Sequence, residues 1–81
     1  MTTNSYNRAF GCVLRALRKE RHATQESLAF NAGRDRTYIS ILELGQRSPT
    51  LDTMVALCRA LNVPLVDFVA AVEREVRSCG D

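Results

Sequence analysis

The chain has 81 residues, of which 46% are hydrophobic and 25% charged, which is enough for one globular domain with a single core. Its formal net charge is only +2, and no apolar run approaches the length that crosses a membrane. The first ten residues, MTTNSYNRAF, contain no apolar signal segment. We therefore expect a cytoplasmic protein that does not bind membranes.

The charge is unevenly distributed along the chain. Residues 1–48 contain eight Lys or Arg and four Asp or Glu, a balance of +4, whereas residues 49–81 contain three and five, a balance of −2. This asymmetry favours a nucleic-acid-binding surface on the N-terminal part. An ordinary solvated basic face would give the same counts.

The sequence carries no signature of an enzyme or a metal site. It has no HExxH, GxSxG or Gly-rich phosphate loop, and its one histidine and scattered carboxylates form no acid–base constellation. Cys12, Cys58 and Cys79 form no CxxC pair and complete no zinc site with that histidine. We expect no catalysis, no metal and no cofactor.

Apolar spacing predicts five helices, at residues 7–21, 25–32, 36–44, 51–61 and 64–76, in a single domain that spans residues 1–81. The first helix carries an apolar stripe at i, i+3, i+4 and i+7, formed by Phe10, Val13, Leu14 and Leu17. Gly11 lies in this helix, where it would allow a neighbouring helix to approach closely. Residues 1–6 are predicted to be a disordered arm or a lead-in to the helix.

The second and third predicted helices are separated by a tight turn. Thr24 is a good N-cap for the second helix, and Gly33 suits the left-handed conformation that ends helices. Asp35 is an N-cap for the third helix, whose Ile39 and Leu42 point inward at helical spacing. The pattern predicts two short helices around a tight turn, and many ordinary surface helix pairs share it.

Polar side chains lie on the faces of the third helix that its apolar residues do not use. Arg36, Thr37 and Ser40 give this helix a basic, hydrogen-bonding N-terminal end that fits the major groove of DNA. Ile41 has two interpretations: contact with a thymine methyl group, or packing at the edge of the core. Arg47, in the turn that follows, suits a phosphate contact.

The last predicted helix has more apolar residues than a domain of this size can bury. Five of them form one stripe: Leu65, Phe68, Val69, Val72 and Val76. The surplus predicts an exposed patch that pairs with a second copy of the chain in a homodimer. The alternative is a helix that simply lies at the centre of the core.

Four strings of the sequence carry a resemblance to a known family: LRALRKER, TQESLA, DRTYISILELGQRSP and TLDTMVALCRALNV. Between Phe10 and about Phe68 the chain resembles the phage repressor and Cro-like helix-turn-helix proteins. The DRTYIS string and the short length resemble the controller proteins of restriction–modification systems. The resemblance implies an all-α, compact five-helix domain of the lambda-repressor type.

The resemblance also implies roles for particular residues. Arg18 and Glu43 match a partly buried ion pair that links the first helix to the end of the recognition helix. Gln25 matches a phosphate contact at the start of the second helix. The predicted DNA-binding residues are Gln25, Arg36, Thr37, Tyr38, Ser40, Ile41 and Arg47.

Four positions depart from the family pattern. His22 stands where the family usually has Gly, and Ile41 stands where many relatives have a polar residue. Arg34 stands where the family has an apolar residue, and its head is expected to reach water or a phosphate. Leu44 replaces a common Arg or Asn and has no evident role.

These features predict a sequence-specific transcription regulator that binds double-stranded DNA as a homodimer on a palindromic operator. By resemblance it would control a restriction–modification operon, or act as a phage-type or general repressor. The competing hypothesis is a protein-interaction module of the same fold, such as an antitoxin or a scaffold. The presence of Gln25, Arg36, Thr37 and Arg47 favours DNA.

Overall fold

The computed structural model describes residues 4–78, and these residues form five α-helices and no β-strand. The helices are α1 (Asn4–Glu20), α2 (Gln25–Ala32), α3 (Arg36–Glu43), α4 (Leu51–Leu61) and α5 (Leu65–Ser78). The predicted all-α, five-helix fold is confirmed. No single helix in this range is long and apolar enough to cross a membrane, and α4 and α5 pass that test only together, as a pair bent by 105°.

The first helix begins earlier than the sequence predicted. It starts at Asn4 instead of residue 7, so residues 4–6 belong to the helix and not to an arm. Ser5 is buried, and Asn7 accepts a hydrogen bond from the Ser48 hydroxyl at 2.8 Å. Packing of this first turn against the rest of the domain extends the helix. Residues 1–3 of the predicted arm lie outside the described residues.

The last helix is shifted relative to its predicted bounds of 64–76. The carbonyl of Pro64 accepts a hydrogen bond from the Phe68 amide at 3.1 Å, so Pro64 precedes the helix and Leu65 opens it. The helix continues to Ser78 because Val76 is still buried against the core and holds the last turn in place.

Capping side chains set the geometry between α2 and α3. Thr24 Oγ1 accepts a bond from the Ser27 amide at 2.9 Å, and Ser27 Oγ accepts one from the Thr24 amide at 3.1 Å, which is a reciprocal capping box. Gly33 ends α2 in the left-handed conformation with φ of 66°. Asp35 then accepts a bond from the Thr37 amide at 3.1 Å and opens α3.

One hydrophobic core receives side chains from all five helices. Phe10 of α1 and Phe68 of α5 meet within it, with ring centroids 5.1 Å apart. The largest fully buried side chains are Phe68, Leu14, Ile39, Leu42, Leu57 and Leu61. Two of these, Ile39 and Leu42, belong to α3, so the core fixes which side of that helix faces solvent.

Gly11 lies where α1 passes the C-terminal end of α3 at very short range. A methyl group at this position would lie 2.5 Å from the Glu43 carbonyl oxygen and 2.6 Å from that of Leu42. Both atoms belong to the backbone, so they cannot move aside unless α3 moves. The close approach that the sequence anticipated therefore involves the helix that carries the predicted DNA contacts.

Replacing Gly11 with Ala should destabilise the domain, although alanine is the better helix former. The clash with the α3 backbone should outweigh the gain in helix propensity of about 1 kcal/mol, since overpacking of this kind costs about 1–3 kcal/mol. Chemical denaturation measures the difference, with Cys12→Ala at the neighbouring exposed position as the control. A Gly11→Ala variant that is more stable than the parent would show that the two helices separate freely.

Candidate nucleic-acid interface

One side of α3 faces solvent along the whole helix. Arg36 and Thr37 are exposed at its N-terminal end, whereas Ser40 and Ile41 are half-buried further along. Tyr38 is also half-buried and packs against the core, so its ring is partly engaged within the domain. The predicted DNA-binding residues of α3 thus share its outer surface, with Tyr38 at the margin.

Arg18 and Glu43 form a two-point ion pair between α1 and the last residue of α3. Arg18 Nε donates to Glu43 Oε2 at 2.6 Å, and Arg18 Nη2 donates to Glu43 Oε1 at 3.0 Å. The two side chains are only 11% and 4% exposed. The hydrogen bond to Glu43 raises the pKa of the Arg18 guanidinium, which remains charged at any ordinary pH. Arg18 Nη1 also donates to the Ala23 carbonyl at 2.9 Å, which ties the same guanidinium to the start of the helix-turn-helix.

Gln25 connects this pair to the outer surface of α3. Its Nε2 donates to Glu43 Oε1 at 3.0 Å, and its Oε1 accepts a bond from Arg36 Nη1 at 3.5 Å. The sequence predicted a phosphate contact here and missed both internal bonds. The amide now has a defined orientation, with its oxygen toward Arg36. A chain of hydrogen bonds therefore runs from Arg18 through Glu43 and Gln25 to Arg36.

Arg34 has partners within the domain instead of a free head. Its Nε donates to Thr53 Oγ1 at 3.3 Å, and its Nη1 lies 3.2 Å from the carbonyl oxygens of Ala32 and Gly33. These two carbonyls belong to the last residue and the C-cap of α2, where backbone acceptors lack helical partners. Arg34 therefore joins the turn before α3 to α4, a role that the expectation of a water or phosphate contact did not include.

The loop after α3 returns the chain to the start of α1. Gly45 adopts a left-handed conformation with φ of 73°, and an added methyl group there would lie 2.9 Å from the Arg8 backbone. Ser48 is bonded to Asn7 of α1. Arg47 is exposed within this anchored loop. An exposed cationic side chain on an anchored loop suits the phosphate contact predicted for Arg47.

The predicted dimer residues of α5 do not share one surface. Phe68 is only 1% exposed, and Val72 and Val76 are also buried, so these three belong to the core of a single chain. Phe68 and Val72, which the sequence predicted near the dimer contact, are covered by the chain itself, because periodicity alone does not distinguish a core stripe from a contact stripe. Leu65 is half-buried against the core, and Val69 is 44% exposed.

An apolar groove lies beside the exposed part of α5. It has a volume of about 280 Å³, and its lining comes from α1, the loop before α4, α4 and α5: Tyr6, Asn7, Phe10, Ser48, Pro49, Met54, Val69, Val72 and Glu73. Exposed Val66 and Leu51 lie on the same two final helices. The surplus apolar surface is therefore made by α4, α5 and the first turn of α1 together.

The described residues hold no cluster of metal-binding side chains. Residues 4–78 contain no group of three His, Cys, Asp or Glu placed to bind a metal ion. Cys58 is buried, and this burial raises the pKa of its thiol, so the unreactive protonated form is favoured. Cys12 is exposed and not in a disulfide. Cys79 lies outside the described residues.

Comparisons with known proteins agree with this geometry. A profile of the helix-turn-helix family matches residues 14–68. The chain is 39% identical over 70 residues to the control protein C.BamHI of Bacillus amyloliquefaciens, an alignment that covers 82% of this chain and 86% of that one. It also resembles the crystal structure of the restriction–modification controller protein C.AhdI of Aeromonas hydrophila, with a TM-score of 0.75, 37% identity and coverage of 76% and 94%.

A third comparison involves a protein bound to DNA. The tetramer of the controller protein C.Esp1396I in complex with its natural 35 base-pair operator contains a chain that matches this one with a TM-score of 0.82 and 29% identity. The match covers 94% of this chain and 97% of that one.

Replacing Glu43 with Ala should destabilise the domain by about 3 kcal/mol, because the Arg18 guanidinium would remain buried without its partner. Urea denaturation measures the loss. Glu20→Ala is the matched control, since the Glu20–Arg21 pair is exposed and such pairs contribute about 1 kcal/mol or less. Equal stability losses for the two variants would show that Glu43 acts as an ordinary surface charge.

Proposed function

Because this chain belongs to the helix-turn-helix family, we propose that it is a sequence-specific transcription regulator that binds operator DNA as a homodimer. The observation that carries this proposal is the fixed exposure of α3. Its inner side is held by Ile39, Leu42 and the Arg18–Glu43 pair, and its outer side presents Arg36 and Thr37. A short helix presented in this way enters the major groove of B-DNA.

Base recognition is assigned to the start of α3. The guanidinium of Arg36 can offer two parallel donors to the O6 and N7 atoms of a guanine. Thr37 adds a hydroxyl or a methyl contact to the neighbouring base, and Ser40 adds a hydroxyl one turn later. The hydrogen bond that Arg36 Nη1 donates to Gln25 Oε1 supports this assignment, because it directs the Arg36 side chain along the outer surface of α3.

Backbone contacts are assigned to residues at both ends of the helix-turn-helix. Gln25 lies at the N-terminus of α2, where free amide groups and the helix dipole favour a phosphate. Arg47 lies in the loop after α3 and is exposed. Contacts of this kind fix the position of α3 in the groove and contribute affinity without sequence preference. Tyr38, at the margin of α3, is assigned to the same interface.

The homodimer is proposed to form through the apolar surface of α4, α5 and the first turn of α1. Leu65 and Val69 would contact the second copy, together with Tyr6, Met54 and Val66. Phe68, Val72 and Val76 support this surface from beneath. A two-fold dimer would place the two copies of α3 about 34 Å apart, one helical turn of DNA. The two-fold symmetry is the reason why the operator should be palindromic, and the spacing sets the separation of its half-sites.

The controller type is the form of regulator that we favour. C.BamHI, C.AhdI and C.Esp1396I are all control or controller proteins of this length class. An immunity repressor of Bacillus phage phi105 is also similar, with 38% identity, but this chain covers only 41% of its length. A restriction endonuclease or methyltransferase gene beside this one would support the controller assignment, and a phage gene cluster would contradict it.

The two predicted kinds of arginine contact should separate in binding titrations. Arg36→Ala should cost about 1–3 kcal/mol on the operator and relax the preference at one base pair. Arg47→Ala should weaken binding to operator and scrambled DNA alike, and should lower the salt slope by about one. The measurement is an anisotropy titration at several salt concentrations on an operator selected from a random DNA pool.

Arg59→Ala, at an exposed arginine of α4, is the matched control for both variants. Equal weakening of operator and scrambled DNA by Arg36→Ala would make Arg36 a phosphate contact and would overturn its assignment. Failure of the parent protein to select any sequence from the pool would overturn the proposed function itself.

The dimer surface should be sensitive to charge at Val69. Val69→Glu places a carboxylate in the proposed apolar contact, and its exposed position leaves the core intact. We expect monomers in sedimentation velocity experiments, and sharply weaker operator binding because two linked half-sites become independent.

Phe30→Glu provides the control for this variant, since Phe30 is an equally apolar and even more exposed side chain on α2. That change should leave the sedimentation coefficient unaltered. A Val69→Glu protein that remains dimeric would place the interface on another surface.

A further inference from the structure

Three residues lie along the middle of the solvent-facing side of α3 and of its C-cap. Thr37, Ile41 and Leu44 are spaced i, i+4 and i+7, so they lie above one another on one side of the helix. Ile39 and Leu42, which anchor the helix in the core, lie on the opposite side. The side of α3 opposite its core residues therefore carries two aliphatic side chains and the methyl group of Thr37.

Neither aliphatic side chain of this set belongs to the hydrophobic core. Leu44 is 64% exposed. Ile41 is half-buried and, unlike Tyr38, is not among the residues that pack against the core. Of the two interpretations that the sequence left open for Ile41, the structure therefore favours contact with an external partner. Leu44, which had no role in the sequence, extends the same surface by one turn.

The residues around this set indicate what kind of partner would bind it. Arg36 is exposed at one end of α3, and Arg47 is exposed in the loop beyond its other end. Leu44 itself lines a shallow depression together with Arg15 and Ser40. The protein thus presents a row of apolar side chains with cationic side chains on either side. A complementary partner would be a polyanion with apolar groups inside a groove. In the major groove of DNA, the only such group is the C5-methyl group of thymine.

We propose that Thr37, Ile41 and Leu44 form an apolar ridge that contacts the C5-methyl groups of thymines, so that each operator half-site carries thymines next to the base contacted by Arg36. This inference rests on the proposed function and specifies the DNA that it recognises. Arg36 distinguishes bases by hydrogen bonds at one end of the helix. The apolar ridge distinguishes them along the rest of the helix by shape and by the burial of methyl groups. Loss of one buried methyl contact should weaken binding about fourfold.

The test removes single methyl groups from the DNA. In an operator selected from a random pool, each thymine is replaced in turn by deoxyuridine, which keeps base pairing and removes only the methyl group. Anisotropy titrations should show about fourfold weaker binding at particular thymines, in symmetric positions of the two half-sites. Deoxyuridine elsewhere in the operator should have no effect.

Variants then connect each sensitive thymine with its side chain. Ile41→Ala should abolish the deoxyuridine penalty at one thymine and Leu44→Ala at another, because a missing side chain no longer distinguishes the two bases. The ratio of affinities for the two DNAs cancels any general change in folding or dimerisation. Phe30→Ala, which removes an exposed apolar side chain of α2, should retain every penalty.

Two results would overturn the proposal while leaving the function intact. The operator could bind equally well with deoxyuridine at every position. Alternatively, the penalties could persist in both alanine variants, which would assign them to the stiffness of the DNA and not to the protein. If the parent protein selects no operator at all, the proposed function fails, and that result is distinct from either of these.

Discussion

The ion pair between Arg18 and Glu43 is the interaction on which the orientation of α3 depends. It is two-pointed and almost buried, so its geometry permits little rotation of the carboxylate or of the helix end that carries it. Arg18 Nη1 also donates to the Ala23 carbonyl, and Glu43 Oε1 accepts a hydrogen bond from Gln25 Nε2, which connects the pair to the outer surface. Removal of one partner would leave the other charge buried and unpaired. This cost is larger than the net stabilisation that the intact pair contributes, so it is the cost that preserves the arrangement.

Two further contacts complete the placement of the helix. Gly11 brings the backbone of α1 against the C-terminal end of α3, at a distance that admits no side chain. At the other end, Arg34 joins the preceding turn to Thr53 of α4. The helix is therefore fixed laterally by the core, and at each end by a polar or steric contact with a different neighbour.

Local chemistry made much of the fold predictable from sequence. The caps at Thr24 and Asp35 and the left-handed Gly33 depend on nearest neighbours, which the sequence displays directly. The failures involve distant partners. A stripe on α5 contains buried Phe68 and exposed Val69 side by side, and periodicity alone does not show which residue meets the core.

In the candidate site, too, features set by neighbouring residues were predictable from the sequence, and features set by distant partners were not. The types and spacing of residues on α3 predict its outer surface from the sequence alone. The bond from Gln25 to Glu43 and the partners of Arg34 required the tertiary arrangement, because each joins segments that are far apart in sequence. Ile41 could be interpreted only once its lack of core contacts was known.

The separation between the inner and outer sides of α3 has an evolutionary consequence. Since Thr37 and Leu44 are exposed and Ile41 lies outside the core cluster, substitutions at these three positions are less constrained by stability than substitutions at Ile39 and Leu42. The outer surface of α3 can therefore change during evolution while the scaffold beneath it stays constant.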